Sequence, residues 1–199
     1  IRTANNQSLT EITAFPSAVA LGGLVLLATE TASSDGTIEF TSNIDSTYKE
    51  YIFKFINIHP SSDGARFNFN LSIDAGSNYN VTKTTTYFTA SLAADDTGGS
   101  LAYNTGADLA QGTGDQNLFR GVGAANDECI NGTLHLYNPS STTFVKHFLV
   151  RTSTTTSDPS EFDTFVAGYG NTTSAVDAVK FLFHTGNVDS GTFKLYGVT

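Results

Sequence analysis

A chain of 199 residues, 39% hydrophobic and only 15% charged, is sized for one domain, and its 15 Phe and 8 Tyr are too many for a disordered chain. A net charge of -9 with ten Lys and Arg, none of them clustered, excludes a protein that grips nucleic acid or an anionic membrane by displacing counterions. The polar positions are filled by Thr, Ser, Asn and Gly, which suit strands joined by turns, while strong helix formers are scarce.

Residues 1–20 read as an extended N-terminal arm, with Leu9, Ile12, Phe15 and Pro16 lacking any evident strand partner. Met is absent, so Ile1 is expected either to follow a processing site or to lie inside a longer sequence. The apolar run from Ala18 to Ala28 is too short to span a bilayer and makes a poor signal core, since Arg2 is the only basic residue ahead of it. It is expected to be a buried strand opening a single domain over residues 21–199.

Strand signals then recur between turn clusters. Leu24 to Thr29 precedes the turn Ser33-Ser34-Asp35-Gly36, and Thr37 to Thr41 follows. Tyr51 to Ile58 is rich in aromatic and β-branched residues and should stop at His59-Pro60, because Pro60 has no N–H to donate. From Arg66 to Ile73 the alternation is strict: Phe67, Phe69, Leu71 and Ile73 share one face, and Arg66, Asn68, Asn70 and Ser72 the other. Thr84 to Leu92 is expected to turn Phe88, Ala90 and Leu92 inward. Residues 93–116 are poor in apolar groups and read as a long loop excursion, with a helical turn near Ala107 to Ala110.

The remaining strands are expected at Asn117 to Val122, Gly132 to Tyr137, Thr143 to Arg151, Phe162 to Tyr169, Ala178 to His184 and Thr192 to Gly197. Nine to eleven short strands with regular turn signals specify an all-β protein, an antiparallel β-sandwich of jelly-roll-like form.

Candidate chemistry is sparse, and no catalytic residue, cofactor site or metal site is assigned. No G-x-S-x-G elbow occurs, and 19 acids offer no way to select a glycosidase pair. Cys129 is the only cysteine, so it cannot form an internal disulfide and reads as a buried or half-buried thiol. If Tyr137 pairs with Val145 in a hairpin, His135 faces His147, and two facing imidazoles could hold a transition metal, although no third ligand is evident. Asp74 with Asp95 and Asp96 could line a calcium site, but the spacing matches no EF-hand loop and a solvated acidic loop is the plainer reading. Five N-x-S/T triplets begin at Asn6, Asn70, Asn80, Asn131 and Asn171; with 15 Asn and 48 Ser or Thr, about three to four arise by chance, so they carry no signal.

Two stretches are distinctive as strings. One is NGTLHLYNPSSTTFVKH, from Asn131 to His147; the other runs from Gly168 to Gly197 and contains GYGNTTSAVDAVKF and TGNVDSGTFKLYG. With SLTEITAFPSA near the start and the segment from Tyr51 to Thr86, they resemble uncharacterised virion structural proteins, of fibre or decoration type, from marine tailed bacteriophages including cyanophages. That resemblance implies a non-enzymatic particle protein on the virion surface. It would work as a homo-oligomer, a trimer by analogy with phage fibres and decoration proteins, bound to the capsid shell or the tail. It carries no catalytic residues with it, and residues 93–130 share least. The alternative expectation is a lectin-like module that recognises host surface glycans, for which a shallow aromatic groove would be the mark.

Overall fold

The computed structural model describes residues 23–199, and the proposed arm over residues 1–20 lies outside them. The described chain forms twelve strands: β1 (Leu24–Asp35), β2 (Ile38–Phe40), β3 (Glu50–Pro60), β4 (Ala65–Ser72), β5 (Lys83–Ala93), β6 (Ser100–Tyr103), β7 (Gln116–Val122), β8 (Ile130–Tyr137), β9 (Lys146–Thr155), β10 (Ser160–Gly170), β11 (Ala178–Phe183) and β12 (Val188–Val198). They make an eight-stranded sheet in the order β1-β12-β3-β8-β9-β10-β5-β6 and a four-stranded sheet in the order β2-β11-β4-β7, with every pairing antiparallel.

The topology is a jelly roll with two insertions. β1 pairs with β12, β2 with β11, β3 with β8 and β4 with β7, which is a nested set of hairpins rolled into two layers. Without β5, β6, β9 and β10, the two sheets reduce to β1-β12-β3-β8 and β2-β11-β4-β7. The inserted pair β5-β6 leaves between β4 and β7, and the pair β9-β10 leaves between β8 and β11. Both join the edge beyond β8, so the larger sheet doubles in width.

Phenylalanine fills the space between the layers. Phe181 on β11 lies within 6.5 Å, ring centre to ring centre, of Phe40, Phe53, Phe55, Phe67, Phe69 and Phe193. Most of these contacts are edge-on or tilted, as the ring quadrupole favours. Phe67, Phe69 and Leu71 point into this core with no solvent exposure, as their alternation requires.

The opposite face of β4 is also covered, contrary to the expectation of a wet face. Asn68, Asn70 and Ser72 are all buried, and only Arg66 is exposed. The excursion reaches over this face, so that Asn70 Nδ2 donates to Thr113 O at 3.2 Å and to Asp115 Oδ1 at 2.8 Å. Ser72 Oγ is enclosed by the next turn, donating to Asp74 Oδ1 and accepting from the Gly76 N–H. Ile73 lies beyond the strand and is 41% exposed.

Three further expectations are corrected. The apolar run does not make a buried strand where it is described: β1 is an edge strand, and Leu24, Val25 and Leu26 are exposed. Phe88 and Leu92 face outward on β5, while Lys83, Thr85 and Tyr87 are buried under the excursion, whose Leu109 N–H donates to Thr85 Oγ1. Period two gives the alternation but not its direction when both faces carry apolar groups. Within the excursion there is no helix at Ala107 to Ala110; residues 100–103 instead form β6 against β5, and Gly112 bridges to Lys83.

Candidate functional site

The insertions give the eight-stranded sheet a broad outer face on β8, β9, β10, β5 and β6. On β9 the alternation is complete: Lys146, Phe148, Val150, Thr152 and Thr154 are buried, and the residues between them are exposed. Register then sets rows across the strands. One row runs Tyr103, Phe88, Phe165, Arg151, Thr133, and the next runs Thr86, Ala167, Leu149, His135, Ile52.

In the middle of the first row, Phe88, Phe165 and Arg151 form a stack of flat groups standing on the sheet. Phe88 and Phe165 lie parallel, 4.8 Å apart with 7° between their planes. The Arg151 guanidinium covers Phe165 at 5.0 Å from the ring centre. Asp163 orients that guanidinium through two parallel bonds, Nε to Oδ1 at 3.0 Å and Nη2 to Oδ2 at 2.6 Å, and these bonds, with the carboxylate charge second, raise the Arg151 pKa further. One face of Phe88 is spent on Phe165, and Phe165 is covered by both Phe88 and Arg151, so Phe165 offers a partner its edge rather than an open platform.

Beside the stack runs a groove of about 470 Å³, with Leu149 and Ala167 among its lining and Phe165, His135 and Tyr137 at its sides. Leu149 is 50% exposed there. His135 Nδ1 lies 2.6 Å from Glu50 Oε1, and the His135 and Tyr137 rings stack at 6.3 Å. A second shallow groove continues past Tyr137 to Thr84, Thr86, His147 and Tyr169. The two grooves are apolar and aromatic, and the Arg151–Asp163 and His135–Glu50 pairs set charges beside them.

The candidate metal sites do not assemble. His135 pairs with Leu149, two residues out of the register that would set it against His147. Its ring is taken by Glu50, while His147 packs on Tyr169 at 5.9 Å. Asp74 and Asp95 sit at opposite ends of β5. Asp74 binds Ser72 and Asn78, and Asp95 binds Thr97. These hydrogen bonds hold both carboxyls below the usual carboxylate range. Among the described residues, no three of His, Cys, Asp and Glu converge on one point. Cys129 is half-buried beside Asn131.

The sequence reading missed this face. Phe88, Leu149 and Phe165 look like core residues in the sequence, and only the register reveals which face they share. No protein-family model, no curated protein and no solved structure matches the chain. The fold and site define a jelly-roll β-sandwich with a widened outer sheet face that carries apolar, aromatic grooves.

Proposed function

We propose that the protein is a structural component of a bacteriophage particle, displayed on its surface as a capsid decoration or fibre subunit. It works as a homo-oligomer, a trimer by analogy with fibre and decoration proteins, and contacts the capsid shell or the tail. The observation that carries this reading is the outer face of the widened sheet, where Leu149, Phe88, Leu101 and Tyr103 are exposed together on a rigid two-layer scaffold. A soluble chain that leaves such a face bare gains by covering it against a neighbour, at about 25 cal/mol per Å² of apolar area. The jelly roll, a frequent fold of capsid and lectin domains, supports the reading by analogy alone, as does the resemblance of Asn131 to His147 and Gly168 to Gly197 to virion proteins. The contribution of residues 1–20 to the assembly belongs to the proposal and lies outside the described structure.

The test is gold-labelled antibody against the chain, viewed by electron microscopy on particles of the tailed phage that encodes it. Regular labelling at a fixed place on the particle is expected. Label confined to infected-cell extract, with bare particles, would overturn the reading.

The second reading, a lectin-like module for host glycans, is favoured by the groove at Tyr137, His147 and Tyr169, whose aromatic side chains are of the kind that sugar rings pack on. The Phe88–Phe165 stack speaks against it in part, because sugars pack on ring faces and those of Phe165 and one of Phe88 are occupied. Binding to an array of bacterial surface polysaccharides that is lost in Tyr169→Ala would decide for the glycan.

A further inference from the structure

Two lysines have no solvent exposure, Lys83 and Lys146, and their surroundings differ in kind. Lys146 Nζ donates to two backbone carbonyls, Phe144 O at 2.7 Å and Thr172 O at 3.2 Å. That is an ordinary solution for a buried ammonium. Lys83 Nζ donates to one backbone carbonyl, Val81 O at 2.8 Å, and its nearer partner is the side-chain amide of Asn70, whose Oδ1 is 2.5 Å away. This is closer than the usual range of about 2.7–3.2 Å for a nitrogen donor to oxygen. Among the described residues, no ion pair balances its charge.

The amide is held at each of its polar atoms. Asn70 is 1% exposed. Its Oδ1 also accepts the Leu71 N–H at 2.9 Å. Its Nδ2 donates to Asp115 Oδ1 at 2.8 Å and to Thr113 O at 3.2 Å. The same Asp115 oxygen is 3.5 Å from Lys180 Nζ. A buried amine thus meets a buried primary amide, with a backbone donor on the amide oxygen and a carboxylate on the amide nitrogen. These are the parts needed to exchange one amide for another: a nucleophile, an oxyanion donor and a proton carrier at the leaving group.

We propose that Lys83 and Asn70 join in an intramolecular isopeptide bond, formed without any partner enzyme, with Asp115 carrying the proton. The neutral Lys83 amine attacks Cγ of Asn70, and the carbonyl electron pair moves onto Oδ1, where the Leu71 N–H stabilises it. In the tetrahedral adduct Nζ is bonded to Cγ beside Nδ2, which brings it to the Asp115 carboxylate that already accepts from Nδ2, and that carboxylate moves one proton from Nζ to Nδ2. The carbonyl re-forms, the Cγ–Nδ2 bond breaks and ammonia leaves. An amine and a primary amide become a secondary amide and ammonia, with no change of oxidation state and no co-reactant. Burial favours the reactive form, because desolvation lowers the Lys83 pKa to about 8.

The bond would tie β4 of the small sheet to β5 of the large one, across the two layers of the sandwich. The layers could then not separate without breaking a covalent link, which is useful in any protein that bears mechanical load or protease attack. The sequon at Asn70 is sterically unusable for glycosylation in the folded chain, whereas the cross-link needs this burial.

The test is the intact mass of the full chain, measured under denaturing conditions. The wild type is expected about 17 Da below its sequence mass, the loss of one ammonia. A proteolytic digest is expected to contain one branched peptide carrying both Asn70 and Lys83. Lys83→Arg and Asp115→Ala are each expected at full mass, with circular dichroism confirming that they fold. Wild-type protein at full sequence mass with a free Lys83 overturns the proposal whether or not the variants fold. So does a loss of ammonia confined to the Asn70 peptide, which is a succinimide. An Asp115→Ala variant linked as completely as the wild type overturns the role given to Asp115.

Discussion

Replacing Phe69 by Ala and Phe88 by Ala separates the two faces of the sandwich, because the residues are chemically identical and differ only in where they point. Phe69 is fully buried, edge-on to Phe148 at 5.0 Å and stacked on Phe181 at 6.5 Å. Truncation there removes the transfer energy of a whole ring and leaves a cavity between two sheets that cannot close on it, at a cost of about 3–5 kcal/mol. For a domain of this size each kcal/mol lowers the melting temperature by about 2–4 °C, so a fall of roughly 6–20 °C is expected. Phe88 is 37% exposed and loses one stacked partner, Phe165, worth about 0.5–1.5 kcal/mol beyond its area. Thermal unfolding followed by circular dichroism checks both. Any cross-link between Lys83 and Asn70 is common to the two variants and drops out of the comparison. If Phe88→Ala destabilises as much as Phe69→Ala, the assignment of inner and outer faces on β4 and β5 is wrong.

Leu149→Asp is expected to shift the melting temperature little but to convert the proposed oligomer to monomer in light scattering; an unchanged mass would remove the groove from the assembly face. Gly197→Ala is expected to destabilise, because a Cβ there would lie 2.4 Å from the ring of Tyr48, and the loss should be smaller in Gly197→Ala combined with Tyr48→Ala. Asp45 receives the Thr47 N–H and the Tyr51 hydroxyl, and its bonds to Thr47 lead in lowering its pKa. A carboxyl lowered in the folded state contributes stability above its unfolded pKa and loses it as pH falls through the folded one, so the gap between wild type and Asp45→Ala should narrow below about pH 4, read by urea unfolding. Addition of a chelator is expected to leave the melting temperature unchanged, and a drop of several degrees would reveal a metal that the ligand geometry does not suggest.

The sequence alone determined that the chain is all β, where most strands fall, and that Phe67, Phe69 and Leu71 enter a core. Alternation is a local property, and turn residues act within a few positions of themselves, so both are written along the chain. The jelly-roll form was legible from the number and spacing of strands. Its two insertions were not, because they depend on which strands pair, and pairing is made by contacts far apart in sequence. Only the tertiary structure decided which face of β5 looks inward, and it did so by laying the excursion over Lys83, Thr85 and Tyr87. The shift of two residues between β8 and β9 moved His135 from His147 to Leu149, since a ladder is set by the whole hairpin and not by its two histidines. Likewise nothing in the sequence marks Asn70, Lys83 and Asp115 as a group. They meet because β4, β5 and the returning excursion converge at one corner of the sandwich, where burial turns three common residues into a nucleophile, an acyl group and a proton carrier.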